Sequence, residues 1–435
     1  MSADREILSA IDKVTVSTAS QADKGAEYNN LLTQIVETSS PATLVPNFQA
    51  YLDTIIDDAL GTVASRPILD RFGSEILDKI TNEEQRMTIA DYAVQKLEPR
   101  IHYFEEQDSV IRDKLALLYE KEGDHLKAAQ ILQAVKIESS QRPIKDEDKL
   151  ALYIRIMRNL LEVDETVTAE TYMNRAQSLI HKAIDPTHVI LFNMCQARIL
   201  DSKRQFLNAS QKYHMLSLNS KIDLEERAIL LQNAMTCAIL APAGPMRSRA
   251  LATLYKDDRT EEHHDLRIML EKMYLDRLVS PTEVSEFAKT LKPHQLAKLG
   301  DGSTVLAKAV IEHNLLGASK IYNNIGTTDL GLLLALSADE AEKAAATMIE
   351  QGRLKGLIDG VEKIIYFDKG AEVDPFGGQP VVAGGEKRGG VMTDDWGLEL
   401  KKWDERIWGV AQTVENIVGQ LTHEHPEFVQ KHLVL

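Results

Sequence analysis

His423-Glu424-His425 is the arrangement in this chain that comes nearest to a metal site. Two histidines one residue apart can share a zinc ion, and in one class of zinc metalloproteases a downstream Ser and Asp complete the site. Between Pro426 and Leu435 there is no Asp, Ser or Cys, and the spacing is not that of HExxH, so no metal is expected there. His263 and His264, in "RTEEHHDLR", are expected to be solvated. His313, on an apolar helix before "NLL", is expected to be buried and hydrogen-bonded. Cys195 and Cys237 lie inside the helical patterns "FNMCQARIL" and "NAMTCAIL", without a CxxC spacing, and read as small reduced core residues. There is no GxSxG and no Cys with a local His partner, and the carboxylate pairs fall on exposed turns and caps. The expectation is a non-catalytic protein with no catalytic, metal or cofactor residues and no small-molecule substrate.

The elements that would position such residues point to a different role. The chain has 435 residues, 44% hydrophobic but only 6% aromatic, which suits helices built on Leu, Ile and Ala. Its formal charge of −16 repels phosphate and argues against nucleic acid and against an anionic membrane surface. No apolar run reaches the roughly 18 residues of a membrane span. "MSADREILSAIDKV" carries early acids and no continuous apolar stretch, so it is not read as a signal peptide. Asn208-Ala209-Ser210 is then a sequon without consequence. The expected location is cytoplasm and nucleus.

Four stretches repeat one pattern: "LLYEKEGDHLKAA", "NLLEVDETVTAE", "ILDSKRQFLNAS" and "ILAPAGPMRSRA". Each is an apolar helix end, a polar turn, and a small residue opening the next helix. Ala129, Ala169, Ala209 and Ala250 mark the register at steps of 40, 40 and 41. A period near 40 with two helices per unit indicates an α-solenoid of tetratricopeptide-like repeats, in which each pair covers the apolar face of its neighbour. Leu117, Tyr119, Ile131, Leu132, Ile156, Leu160 and Tyr172 are therefore expected in the core. The same holds for Leu266, Met269, Leu270, Met273 and Leu278 of "LRIMLEKMYLDRLV". A weaker register extends the array back to about residue 30. This gives an N-terminal segment 1–30 and a helical-repeat arm 30–292, whose last helix opens at Ser280-Pro281-Thr282-Glu283 with the residues of a capping box.

From Gly300 the texture changes. "DGSTVLAKAVIEHNLL" predicts a helix capped by Ser303, "ASKIYNNI" a short strand, and "TTDLGLLLAL" a helix with Thr327 at its cap. "SADEAEKAAATMIEQG" predicts a third helix with a Ser337–Glu340 capping box. Asp359-Gly360 then turns "KGLI" into "KIIYF". Helix, strand, helix, helix and a two-stranded wing make a winged-helix module over 293–368. On its third helix Ala341, Ala344, Ala345 and Met348 should face inward. Asp339, Glu340, Glu342 and Glu350 should face outward against Lys343, the wrong sign for reading DNA. The strand Lys363, Ile364, Ile365, Tyr366 and Phe367 reads instead as a sheet edge open to another protein.

Seven glycines and two prolines between Gly370 and Gly390 mark 369–394 as a flexible insertion. After it, Trp403, Ile407, Val410, Val414, Ile417 and Leu421 recur at gaps of 4, 3, 4, 3 and 4. That heptad seam predicts an oligomerisation helix over 395–422, followed by a tail 423–435. The fold class is mostly α: a solenoid arm, a winged-helix module and a C-terminal bundle helix.

This architecture resembles the PCI-domain family of the proteasome lid, the COP9 signalosome and the translation initiation factor 3 complex. "LEPRIHYFEEQDSVIRDKLALLYEKEGDHLKAAQIL", "MRSRALATLYKDDR", "MLEKMYLDRLVS" and "AVIEHNLLGASKIYNNI" are similar to the signalosome members of that family. The resemblance spans about Leu97 to Phe367 strongly and the two ends more loosely; the Gly-rich insertion departs from it. It implies a scaffold subunit with no active site, in a complex that removes NEDD8 from cullins through a zinc metalloprotease on another subunit. It implies that the winged helix joins a row of such modules and that Trp403 to Leu421 enters a bundle with other signalosome subunits. The arm would reach the cullin-RING ligases. The alternatives are a proteasome-lid PCI subunit and a nucleic-acid-binding winged-helix protein.

Overall fold

The computed structural model describes residues 4–17, 21–56, 61–137, 144–298, 303–368, 403 and 406–418. The chain divides into two units, Met1–Gly370 and Ala371–Leu435.

The first unit begins with helices Arg5–Val16, Gln21–Thr38, Leu44–Ile56, Thr62–Arg71 and Glu83–Leu97. Ile7, Ile11 and Val14 pack with Tyr28, Leu32 and Ile35 in one cluster that continues to Ile199, so the residues before 30 share the core of the arm. Helical hairpins follow: Glu105–Glu122 with His125–Gln133, Asp146–Glu162 with Thr166–Gln177, Pro186–Ser202 with Phe206–Ser217, and Leu224–Leu240 with Pro245–Tyr255. His264–Tyr274 and Pro281–Ala288 close the arm. Ala129, Ala169 and Ala209 are fully buried where the second helix of each pair meets its neighbours, as the repeat register requires. In the fourth pair Ala250 is only half-buried and Leu251 takes the inward position. Leu117 and Leu278, expected in the core, are exposed: Leu117 lies off the buried stripe of its helix, and Leu278 lies beyond the end of its helix at Tyr274.

The first three hairpin turns share one geometry. Gly123, Asp164 and Arg204 are left-handed, with φ of 88°, 61° and 61°. The residue after each donates its backbone N–H five positions back: Asp124 to Tyr119, Glu165 to Leu160, and Gln205 to Leu200. That bond closes the helix end by capping an orphan carbonyl. Asp124 and Asp185 cap the helices that follow them, and Ser280 and Glu283 form the expected capping box.

The winged-helix module consists of helix Val305–Ile321, strand β1 Asn324–Gly326, helices Thr327–Leu334 and Ala338–Glu350, and strands β2 Gly356–Asp359 and β3 Ile364–Phe367. Leu315, Ala318, Leu330, Ala341, Ala345, Met348, Ile365 and Phe367 form its core. Ser337 and Glu340 make the expected capping box, and Gly352 at φ 67° ends the helix. Three details differ from the sequence reading. The first helix runs through Ile321, because Leu315 and Ala318 keep their inward face, so the strand shrinks to Asn324–Gly326. Its cap is Thr304, whose hydroxyl accepts the Ala307 N–H at 3.1 Å, not Ser303. Gly326 precedes the second helix, and Thr327 is its first residue, donating its backbone N–H to the Lys363 carbonyl at 2.9 Å.

The sheet order is β1-β3-β2, antiparallel throughout. The strand read as an open edge is thus the central one: Ile364, Ile365, Tyr366 and Phe367 pair with β2, and Ile364, Ile365 and Tyr366 also pair with β1. Lys363 sits in the preceding turn with φ 55°. The cause is β1, whose backbone groups pair with the side of β3 that a two-stranded wing would leave free. The edges are β1 and β2. Gly356 opens β2 because a Cβ there would meet the Tyr366 carbonyl oxygen at 2.6 Å. Gly356→Ala is expected to cost about 1–3 kcal/mol through forced separation of β2 from β3. Hydrogen exchange should report faster opening across 356–367; unchanged protection would show that the sheet absorbs the methyl group.

In the second unit, Trp403 and residues 406–418 are helical. The Gly-rich stretch 369–394, Leu421 and His423-Glu424-His425 lie outside the described residues.

Candidate assembly surfaces

The residues that could do chemistry are mostly locked into packing. Cys195 and Cys237 are buried and reduced, and burial pushes the Cys195 thiol up to about 11, so a thiolate is not supplied at neutral pH. His313 is 3% exposed, and its Nε2 lies 2.9 Å from the Arg277 carbonyl, the buried and bonded state expected of it. His264 is exposed, whereas His263 is half-buried and its Nε2 is shut off without a partner. Asp201 is 1% exposed, and burial raises the cost of its charge. The His294 ring, whose Nε2 lies 3.2 Å from Oδ2, and the Gln295 amide, which donates to the two carboxyl oxygens at 3.0 and 3.1 Å, outweigh that cost and hold the carboxyl below its ordinary range. The Asp201 cluster ties the loop after the last arm helix to the third repeat. Among the described residues no group of three or more His, Cys, Asp or Glu is placed to hold a metal ion.

A second buried polar cluster joins the arm to the winged helix, and the sequence reading missed it. Glu312, His313 and Asn314 are consecutive and all nearly buried in the helix Val305–Ile321. Each grips a different piece of backbone. Glu312 accepts the Ala243 N–H at 3.2 Å, in the loop between Leu240 and Pro245. His313 meets Arg277. Asn314 accepts from the Val279 N–H at 2.9 Å and donates to the Val279 carbonyl at 3.0 Å. Arg353, at the turn before β2, completes the cluster with both guanidinium nitrogens on Glu312, at 2.5 and 2.8 Å, and with a bond to the Ala243 carbonyl at 3.3 Å. A run of three polar residues in "IEHNLL", set within a largely apolar helix, was the available signal.

The outer surfaces divide by chemistry. On the helix Ala338–Glu350, Ala341, Ala345 and Met348 are buried and Ala344 is half-buried, while Asp339, Glu340, Lys343 and Glu350 are exposed and Glu342 is half-buried. The acidic flank of the third helix is therefore real. Hydrogen bonds from Ser337 hold the Glu340 carboxyl below its ordinary range, so that residue is charged at neutral pH. On the sheet, Leu357 and Tyr366 are cross-strand partners on the solvent face, 64% and 39% exposed. In the second unit Trp403, Ile407, Val410, Val414 and Ile417 are exposed along one seam, and Trp408 and Val418 widen the stripe beside it. Among the described residues no helix is long and apolar enough to cross a membrane.

The PSMD12/CSN4 N-terminal family model matches residues 8–225, and the PCI domain model matches 284–369. COP9 signalosome complex subunit 4 of Emericella nidulans is 42% identical over 428 residues, which is 97% of this chain and 98% of that protein. The chain belongs to the COP9 signalosome subunit 4 family. The subunit 4 proteins of Dictyostelium discoideum, at 39% over 422 residues, and of Arabidopsis thaliana, at 38% over 407, cover 97% and 92% of this chain. They in turn are covered over 98% and 94% of their own length. As a member of the subunit 4 family the chain carries its PCI domain on the winged-helix module and the end of the arm.

Proposed function

We propose that this chain is a non-catalytic scaffold subunit of a COP9 signalosome, the complex that removes NEDD8 from cullins and so regulates cullin-RING ubiquitin ligases. What carries the reading is full-length similarity to subunit 4 proteins of a fungus, an amoeba and a plant. The structure supports a docking role on each unit. The terminal helix offers a seam of apolar side chains to a helical bundle with other signalosome subunits. The winged helix offers short free strand edges on β1 and β2, and its acidic third helix is unsuited to DNA. The arm presents the long repeat surface through which the ligase would be contacted. Catalysis then falls to a metalloprotease on a different subunit, and the working location is cytoplasm and nucleus.

Affinity purification of the tagged full chain from its own cells tests this. Stoichiometric recovery of other PCI subunits, a metalloprotease subunit and cullins is the expected outcome. Recovery of proteasome ATPases without cullins would replace the reading with a proteasome-lid subunit, and turnover of NEDD8-cullin by the isolated chain would end the non-catalytic assignment.

A further inference from the structure

The closing turns of the arm enclose a cleft of about 720 Å³ between the helices His264–Tyr274 and Pro281–Ala288. Its floor is apolar: Leu266, Met269 and Phe287 are buried there, and Ile268 stands on the rim, 43% exposed. Its wall is acidic. Lys272, the cation in the lining, is already held by Glu283. Glu262, Asp265 and Glu286 stand exposed around the opening and make no ion pair among the described residues.

We propose that this cleft receives a basic, amphipathic segment of another polypeptide. The chemistry of the lining selects the occupant. An apolar floor of this size takes two or three aliphatic or aromatic side chains spaced along one helix face. Three uncompensated carboxylates at the mouth take Lys or Arg from the flanks of that face, and exclude an acidic segment by like-charge repulsion. The field of a chain of net charge −16 steers a basic segment toward the site. The cleft shares no residue with the terminal seam or with the strand edges, so this proposal stands or falls apart from the scaffold reading.

The test uses the purified full chain and a fluorescein-labelled helical peptide with Leu at i, i+3, i+4 and i+7 and Lys elsewhere. Anisotropy should show saturable one-to-one binding that weakens with added salt. The double variant Asp265→Lys/Glu286→Lys should weaken it by about tenfold or more, and Ile268→Asp should do the same through the apolar rim. Charge reversal at Asp329 and Glu350, on the winged helix, should leave it unchanged, and the same peptide with Glu for Lys should not bind. Circular dichroism confirms that each variant is folded. Absence of saturable binding, or equal loss on reversal of the remote acids, would overturn the proposal.

Discussion

Val410→Asp and Val414→Asp, made separately, are expected to release the protein from its assembly while the first unit unfolds at an unchanged temperature. Both valines are exposed on the terminal helix, 64% and 53%, so neither contributes a folded core within the chain. In a bundle each would be enclosed by side chains of neighbouring helices. Burying a valine contributes about 1.5–3 kcal/mol, and placing an unpaired carboxylate in the same hole costs several more. A total of at least about 4 kcal/mol weakens the association constant by roughly a thousandfold or more. Size-exclusion chromatography of the tagged variants from cells reads the result directly. Co-elution of either variant with the parent's companions would remove the terminal seam from the assembly mechanism.

Glu312→Ala is expected to loosen the winged helix from the arm at a cost of about 3–5 kcal/mol, near the lower end because Arg353 retains some solvent. The Glu312 side chain is 7% exposed and the Arg353 side chain 19%. Removing the carboxylate leaves the guanidinium without its counter-charge, held only by Gln351 and the Ala243 carbonyl, and leaves the Ala243 N–H without its acceptor. Arg353→Ala should be the milder variant if Glu312 keeps the Ala243 N–H. The double variant should cost less than the sum, since the second removal relieves the first. Denaturant titration of all three variants gives the cycle. Strict additivity would mean that the pair carries no coupling and that apolar packing alone holds the junction.

The repeat architecture was legible because it depends on periodic apolar positions, and three of the four marker alanines are fully buried. The fourth failed by one residue, since Pro245 starts that helix and shifts its buried stripe onto Leu251. Capping boxes were legible at Ser280 and Ser337 because each is a local pattern of two residues. Strand order was not. Nothing in "KIIYF" says how many neighbours it has; that depends on β1, thirty-eight or more residues earlier, bringing Asn324 opposite Tyr366. The turn geometry was half legible: Gly123 announces a left-handed residue, whereas Asp164 and Arg204 adopt the same conformation under the demands of the hairpin. Of the candidate surfaces, the seam from Trp403 to Ile417 is exposed and helical as its spacing required, and Leu421 lies outside the described residues. The polar run Glu312, His313 and Asn314 was visible, but what it joins was not, because its partners at Ala243, Arg277 and Val279 contribute backbone atoms, which have no signature in the residue types.

The free strands of the sheet are three and four residues long. Fibril-forming segments need about six or seven residues of uninterrupted pairing. An edge this brief is too short to template an endless stack of strands, so the free sides of this sheet do not seed amyloid growth.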